Sequence, residues 1–207
     1  MKKFLHAGCG PSRKENTTAP FASSNWEEVR FDIDEAAEPD ILGSVLDLGM
    51  IESESFDAIF SSHNIEHIFA YQVPKMLREF LRILNKNGFF VVTCPNLIPV
   101  ARLIVEDKLT EPAYVSPIGP ITPQDILYGH SASLEQGNEY MAHKTGFTPK
   151  SLQAILLEAG FQDVAMLSRE GQLDIWALAT KSKVSNKGEL KSLAEQHLPI
   201  KKSPWFS

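Results

Sequence analysis

Short apolar runs alternate along the chain with longer segments in which apolar residues recur at helical spacing. Short runs rich in Phe, Val, Ile and Leu are typical of buried strands when turn residues bound them. The pattern predicts strands at residues 3–7, 28–33, 41–45, 56–61, 88–93, 164–167 and 175–179. Strands that alternate with helices favour an α/β protein with a mostly parallel sheet.

Two segments have the periodicity of amphipathic helices. The first begins near residue 73, and its apolar residues at i, i+3, i+4 and i+7 are Leu77, Phe80, Leu81 and Leu84. The second is expected between an N-cap at Thr148, followed by Pro149, and a terminating glycine at Gly160. Both helices are expected to cover the sheet.

Two segments break this rhythm. Residues 13–26 contain Pro20 and several hydroxyl residues without apolar periodicity, so we expect mostly loop with at best one helical turn. Residues 97–146 contain repeated prolines and glycines among Tyr, His and Glu, and an irregular insertion of this length is typical of a lid or substrate-binding segment. We therefore expect one domain over residues 1–180 that carries this insertion.

The charge distribution bears on partners and on the end of the chain. The formal net charge is −6, from 20 basic and 26 acidic residues, which disfavours binding to nucleic acid phosphates. Residues 181–207 hold six Lys and two Glu, a local charge of +4, and are expected to form a solvated polar tail with one short helix near residues 189–197. The tail and the insertion are the segments in which a homodimer contact is expected, although the oligomeric state is open.

Cysteine content and hydropathy bear on the compartment. The two cysteines, Cys9 and Cys94, give no disulfide framework, so a reducing cytoplasmic location fits best. No apolar run approaches 18 residues, and no membrane span is expected.

A Gly-x-Gly bend follows the first predicted strand, in the sequence LHAGCGPS at residues 5–12. Glycines at such a bend let backbone N–H groups approach a ligand closely. The second predicted strand ends in Asp32, whose carboxylate can accept hydrogen bonds from ribose hydroxyls. This arrangement fits either a dinucleotide or S-adenosylmethionine (SAM). A dinucleotide motif requires a third glycine where Arg13 stands, which argues against a bound diphosphate.

At these positions the sequence resembles the class I SAM-dependent methyltransferases, and specifically the methyltransferase type 11 group. The matching stretches are HAGCGPS, VRFDIDEA, SVLDLGMIESESFDAIFSSHNIEHI, LREFLRILNKNGFFVVTCPN and HKTGFTPKSLQAILLEAGF. The resemblance implies a Rossmann-like, doubly wound, seven-stranded sheet with an antiparallel last strand. It also implies SAM as the cofactor and S-adenosylhomocysteine as its product.

The resemblance assigns cofactor contacts position by position. The implied residues are His6, Ala7, Gly8 and Gly10 for the methionine end, Asp32 and Ile33 for the ribose, Val45, Leu46 and Asp47 for the adenine, and Ser61, Ser62 and His63 near the reactive methyl. Three positions depart from the family pattern: His6 replaces an acidic residue, Ser12 a glycine, and Ser44 an aspartate that commonly contacts adenine. The adenine contacts are therefore the least secure.

The sequence SHNIEHIF at residues 62–69 also matches the H-x-x-E-H spacing of a zinc peptidase. Here the motif follows a predicted strand instead of lying inside a helix, and no distal carboxylate is marked as a further ligand, so no metal is expected. His63 is the candidate general base because its ordinary pKa is about 6.5. For His67, packing beneath the insertion and a functional role both stay open.

Further candidates concern the methyl acceptor. Asn96, at the end of the fifth predicted strand, is a candidate for orienting the acceptor, and Tyr128, His130, Tyr140 and His143 are candidates for lining its pocket. The expected reaction is O- or N-methylation of a small-molecule or sugar-like acceptor. The alternatives are a non-catalytic SAM-binding partner protein and an NAD-linked oxidoreductase.

Overall fold

The computed structural model describes residues 1–199, and a seven-stranded sheet organises it. Five of its strands come first in the chain: β1 (Lys2–Ala7), β2 (Trp26–Asp32), β3 (Ile41–Leu42), β4 (Phe56–Ser62) and β5 (Leu84–Pro95). A separate two-stranded hairpin follows, formed by β6 (Tyr114–Ser116) and β7 (Gly119–Ile121). The last two strands of the seven-stranded sheet are β8 (Asp163–Arg169) and β9 (Asp174–Thr180). The strand order is β3-β2-β1-β4-β5-β9-β8. Neighbouring strands from β3 to β5 are parallel, whereas β9 is antiparallel to both β5 and β8. The predicted fold class is confirmed.

The seven helices in the described part of the chain are α1 (Ala19–Ala22), α2 (Val73–Ile83), α3 (Leu97–Val105), α4 (Pro123–Tyr128), α5 (Ser131–Glu135), α6 (Pro149–Ala159) and α7 (Lys187–His197). One sheet face packs against α2 and α6, with Leu77, Phe80, Leu152 and Leu156 all fully buried. The opposite face packs against α1 and α7. Both faces are therefore covered, as the apolar composition of the central strands requires.

The observed ends of α2 and α6 can be compared with the ends that the sequence predicts. Thr148 caps α6 by accepting a hydrogen bond from the Ser151 amide, and Gly160 ends the helix in a left-handed conformation, as predicted. Helix α2 ends one residue earlier than its periodicity indicated. Leu84 belongs to β5, where it pairs with Phe56 before a register shift. Leu84 is fully buried in this position, so its apolar side chain fits either element.

The first crossover is as short as predicted. It contains a 3-10 turn, Lys14–Asn16, and the four-residue α1. Phe21 of α1 is fully buried and stacks on Phe4 with ring centroids 4.4 Å apart. One aromatic side chain therefore covers sheet surface that a longer helix would otherwise cover.

The expectation of a solvated tail is wrong for the segment up to residue 199. Helix α7 packs against α1 and β8, and Ala194, His197 and Leu198 are buried. His197 lies 4.4 Å from Phe21 between ring centroids. The physical reason is that Leu190, Leu193 and Ala194 recur at helical spacing and give this otherwise polar helix an apolar face. Residues 200–207 of the predicted tail lie outside the described part.

The 97–146 insertion is more regular than expected. It contains α3, α4, α5 and the β6–β7 hairpin. Val100, Ile121 and Ile126 are buried together and form a small core separate from the main one. Across residues 1–199, no helix has both the length and the apolar character needed to cross a membrane.

Candidate functional site

A cleft of about 710 Å³ opens at the carboxyl ends of β1, β2 and β4. Its wall includes Gly8, Gly10, Asp32, Ile33, Val45, Leu46, Ser62 and His63, which are eight of the twelve predicted cofactor positions. The carboxyl ends of parallel strands share one edge of a sheet, so residues that follow three different strands meet there.

The glycine bend after β1 lies against the floor of this cleft. Gly8 has a φ of +67°, and its amide donates to the carbonyl of Phe31 at 2.9 Å. A Cβ at Gly8 would lie 2.4 Å from Cγ of Asn64. The bend therefore requires glycine both for its backbone conformation and for the close approach of Asn64.

Asp32 and the glycine bend converge on one point. Oδ2 of Asp32 accepts a hydrogen bond from the amide of Gly10 at 2.7 Å, and Oδ1 accepts one from the amide of Asp34 at 2.9 Å. The side chain is buried yet borders the cleft. These two bonds fix the orientation of the carboxylate, and each of its oxygens can accept a further hydrogen bond.

Arg30 supports the same wall, and sequence analysis missed it. Its guanidinium is fully enclosed and donates to the carbonyl oxygens of Gly10, Ser12, Ala37 and Glu38. It thus ties the glycine bend to the turn that follows β2. Because all these partners are backbone atoms, no motif in the sequence marks the residue.

The turn after β3 forms another part of the cleft wall. Gly43, Ser44, Val45 and Leu46 border the cleft, whereas Asp47 does not. Asp47 is exposed, and its Oδ1 accepts from the amide of Gly49 at 3.3 Å. The turn directs the carboxylate away from the cleft, and the predicted adenine contact of Asp47 stays a prediction that this geometry does not favour. The apolar side chains of Val45 and Leu46 remain available to contact a flat ring.

Three other predicted cofactor residues lie beneath the cleft instead of in its wall. His6 is buried on the α1 side of the sheet, where its Nδ1 lies 2.7 Å from Oε1 of Glu28. Ala7 is fully buried, and Oγ of the buried Ser61 accepts from Nδ2 of Asn64 at 3.1 Å. The position of His6 follows from strand alternation, which places its side chain on the same face of the sheet as that of Phe4.

His63 lies between the cleft and a second cavity of about 160 Å³. Its backbone is left-handed, with a φ of +48°, and its side chain is about half exposed, at 49%. Nδ1 of His63 lies 3.2 Å from Oε1 of the buried Glu66. Partial desolvation lowers the pKa of His63, but the hydrogen bond and the negative charge of Glu66 outweigh it, and the net shift is upward.

The side chain of Asn96 is held by two hydrogen bonds. It is buried, and neither cavity includes it. Its Oδ1 accepts from the amide of Ile98 at 3.1 Å and caps α3, and its Nδ2 donates to Oγ of Ser168 at 2.9 Å. Both ends of the amide thus hold the start of the insertion, and the predicted catalytic role stays a prediction.

The insertion contributes to both cavities. Asn138, Tyr140, Met141 and Lys144 line the large cleft, opposite the glycine bend. Its contributions to the second cavity include Tyr114, Asp125, His130 and His143, whereas Tyr128 is exposed and borders neither cavity. Of the four predicted pocket residues in the insertion, the structure therefore places three at a cavity wall.

Comparison with protein families gives a match over residues 5–92 to the family described as "Methyltransferase domain". The matched segment contains Gly8, Gly10, Asp32 and His63. Residues 5–92, fewer than half of the 207 residues, therefore form a segment that matches a methyltransferase domain. The match identifies the chain as a methyltransferase that uses SAM as its cofactor.

Solved structures show the same fold. The methyltransferase is similar to the PH0226 protein from Pyrococcus horikoshii OT3, with 15% identity, a TM-score of 0.60, and coverage of 87% of this chain and 82% of that one. A SAM-dependent methyltransferase from Archaeoglobus fulgidus has 17% identity, a TM-score of 0.55, and coverage of 87% and 86%.

A third structural relative was solved with bound ligands. It is the 1,6-didemethyltoxoflavin-N1-methyltransferase of Burkholderia thailandensis with 1,6-didemethyltoxoflavin and S-adenosylhomocysteine. It has 15% identity and a TM-score of 0.54, and the alignment covers 87% of this methyltransferase and 71% of that one. No curated protein sequence matches the chain significantly.

The cleft has the features that SAM requires. The missing side chain at Gly10 leaves open space, Asp32 presents a fixed carboxylate, and Val45 and Leu46 offer an apolar wall. The family and the cleft together favour SAM over the dinucleotide that the first motif alone left open.

Proposed function

We propose that this methyltransferase transfers the methyl group of SAM to a hydroxyl or amine of a small polar acceptor, which includes sugar-like compounds. One observation carries the proposal: His63, His67 and Met141 border both the cofactor cleft and the second cavity. An acceptor in the second cavity would thus lie next to the reactive end of the cofactor cleft.

The contribution of the chain is mainly positional. SAM supplies a methyl group that is already activated by the sulfonium. Alignment of the acceptor lone pair with the S–CH₃ bond can lower the barrier by roughly 7–11 kcal/mol. We assign Gly8 and Gly10 to the methionine end of SAM, Asp32 to its ribose, Val45 and Leu46 to its adenine, and His63 to the acceptor. Residues of the 97–146 insertion would close the cleft and exclude water.

The second cavity favours a small acceptor with hydrogen-bonding groups. Its volume of about 160 Å³ excludes a folded macromolecule, and its wall combines Tyr114 and His130 with the apolar Ile118 and Ile121. Asp125 is engaged, because its carboxylate accepts from Thr122 and Ser131, and these hydrogen bonds hold its pKa well below the ordinary value despite the opposing effect of burial. Tyr114, His130 and His63 are therefore the side chains assigned to the acceptor. The net charge of −6 argues against a nucleic acid acceptor.

The test is a methyl-transfer assay with radiolabelled SAM against a panel of phenols, sugars and heterocyclic amines. We expect transfer to at least one small acceptor, and loss of transfer in His63→Ala. His63→Asn is the matched variant, because asparagine tolerates the left-handed backbone at this position and keeps a hydrogen-bonding side chain. Transfer only to protein or RNA substrates, or undiminished transfer in His63→Ala, would contradict the proposal.

The homodimer and the cytoplasmic compartment stay predictions. Analytical ultracentrifugation of the full chain tests the first, and a single monomer species across the accessible concentration range would contradict it. Fractionation of the source cells tests the second.

A further inference from the structure

Glu66 presents a buried charge that the chain satisfies only in part. The side chain is 1% exposed, and Oε1 has His63 as its hydrogen-bond partner, whereas Oε2 has no partner in the described part of the chain. A buried polar atom left without a partner calls for an explanation, and a missing ion is one of the few available.

Two histidines next to Glu66 are held in the tautomer that a metal ligand needs. Nδ1 of His67 lies 3.1 Å from the carbonyl oxygen of Ala142, and Nδ1 of His143 lies 2.8 Å from that of Ile126. A carbonyl can only accept a hydrogen bond, so both Nδ1 atoms carry the proton when the rings are neutral, and both Nε2 atoms keep a free lone pair. Histidine ligands of metals are commonly oriented by hydrogen bonds of this kind.

The three side chains converge. One possible ligand atom from each of Glu66, His67 and His143 lies within 4.8 Å of the others. Ligand atoms around a tetrahedral zinc ion are about 3.4 Å apart, given bond lengths of about 2.0–2.1 Å, so modest side-chain rotations would close the site. Two imidazoles and one carboxylate with an open fourth position form a donor set of catalytic zinc sites.

We propose that Glu66, His67 and His143 bind one divalent transition-metal ion of the zinc class. The ligand set differs from the peptidase interpretation of H-x-x-E-H, because His63 hydrogen-bonds to Glu66 and the second imidazole comes from the insertion. A metal ion bound to Glu66 and His67, which follow β4, and to His143 of the insertion would also fasten the insertion over the cleft.

The open side of the proposed site faces the second cavity, which Glu66, His67 and His143 all border. An acceptor oxygen or nitrogen in that cavity would be the natural fourth ligand. This assignment of the fourth ligand rests on the proposed function, whereas the metal site itself does not.

Metal binding is tested on the full chain after treatment with chelator, without SAM or acceptor present. Titration with Zn²⁺ should give one tight equivalent, and Co²⁺ should give the intense visible absorption of a four- or five-coordinate ion with nitrogen ligands. His67→Ala, His143→Ala and Glu66→Gln should each lower the Zn²⁺ affinity by more than about 100-fold, because each removes a ligand and the loss of a partner that only orients a ligand already costs about 10- to 100-fold. His130→Gln is the matched control, because His130 borders the same cavity but its Nδ1 lies 2.8 Å from Oγ of Ser133. This control should bind Zn²⁺ as the wild type does.

Three outcomes would overturn the proposal: no tight equivalent in the wild type, binding that the three ligand variants leave intact, or equal loss in His130→Gln. Because Glu66 is buried, circular dichroism and S-adenosylhomocysteine titration establish that each variant is folded. His143 is only partly buried, so His143→Ala remains decisive if Glu66→Gln unfolds. Failure of SAM binding would contradict the proposed function alone, and failure of Zn²⁺ binding would contradict the metal site alone.

Discussion

The amide nitrogen of Gly10 donates a hydrogen bond of 2.7 Å to Oδ2 of Asp32 and thereby joins the bend after β1 to the end of β2. Arg30 fastens the same two segments from behind through backbone carbonyls. The bend and the carboxylate thus form one rigid wall of the cleft, and we propose that SAM binds against this wall.

Asp32→Ala should weaken SAM and S-adenosylhomocysteine binding by roughly 10- to 100-fold, because hydrogen bonds to a charged group contribute about 1.5–3 kcal/mol. Isothermal titration measures the affinities. Asp47→Ala is the matched control, since Asp47 is exposed and lies outside the cleft, and it should change the affinity by less than about 0.5 kcal/mol. Equal losses in the two variants would show that the cofactor contacts were misassigned.

The two glycines of the bend should differ in their tolerance of alanine. Both have positive φ, but a Cβ at Gly8 would lie 2.4 Å from Asn64, whereas a Cβ at Gly10 would have no heavy atom within 4 Å. Gly10→Ala should cost about 1 kcal/mol of unfolding free energy from backbone strain, and Gly8→Ala at least about 1 kcal/mol more. Urea denaturation measures both. A larger cost for Gly10→Ala would contradict the observed packing of Asn64 against the bend.

The convergence of Gly8, Gly10 and Asp32 could be predicted from the sequence, because the two glycines lie in the bend after one strand, Asp32 ends the next, and parallel strands share one edge. The orientation of His6 was also available from strand alternation. The resemblance to the family led to a different assignment, which stays a prediction, whereas the structure places His6 beside Glu28 beneath the cleft.

Contacts that depend on the insertion could not be predicted. Glu66 and His143 are distant in sequence, and only the fold of α3, α4 and α5 brings them together. The partial burial of α7 could not be predicted from the sequence for a different reason. Its apolar face is narrow, and the basic composition of the surrounding segment dominated the interpretation.

Asn96→Ala should behave as the loss of a helix cap. We expect the free energy of unfolding to fall by about 1–2 kcal/mol, because α3 loses its N-cap and Oγ of Ser168 loses a donor. The affinity for SAM should be unchanged. Ser168→Ala removes only the second of these hydrogen bonds and should cost less. Thermal or urea unfolding, with SAM titration on the same samples, checks both expectations; weaker SAM binding at unchanged stability would instead favour a role in the site.

His197 should make the docking of α7 dependent on pH. Burial, and then the charge of Lys2, lower the pKa of His197 from 6.5 to about 4, and its Nδ1 lies 2.9 Å from Oγ1 of Thr18. Between these pH values the unfolded chain binds a proton that the folded chain excludes. The contribution of His197 to the free energy of unfolding is thus fully present above about pH 6.5 and falls by about 1.4 kcal/mol per pH unit below it.

Urea denaturation at a series of pH values measures this effect. His197→Gln keeps a polar partner for Thr18 but cannot titrate, so its unfolding free energy should depend less on pH than that of the wild type, by on the order of 3 kcal/mol between pH 7 and pH 4. Parallel profiles for the two proteins would show that His197 is not protected from protons in the folded state.

The most direct test of the cofactor site is a crystal structure of the full chain with S-adenosylhomocysteine. The account predicts that the ribose hydroxyls hydrogen-bond to the carboxylate of Asp32, that the methionine end lies over Gly8, and that the adenine contacts Val45 and Leu46. A nucleoside bound elsewhere, or turned so that its ribose avoids Asp32, would contradict the central claim.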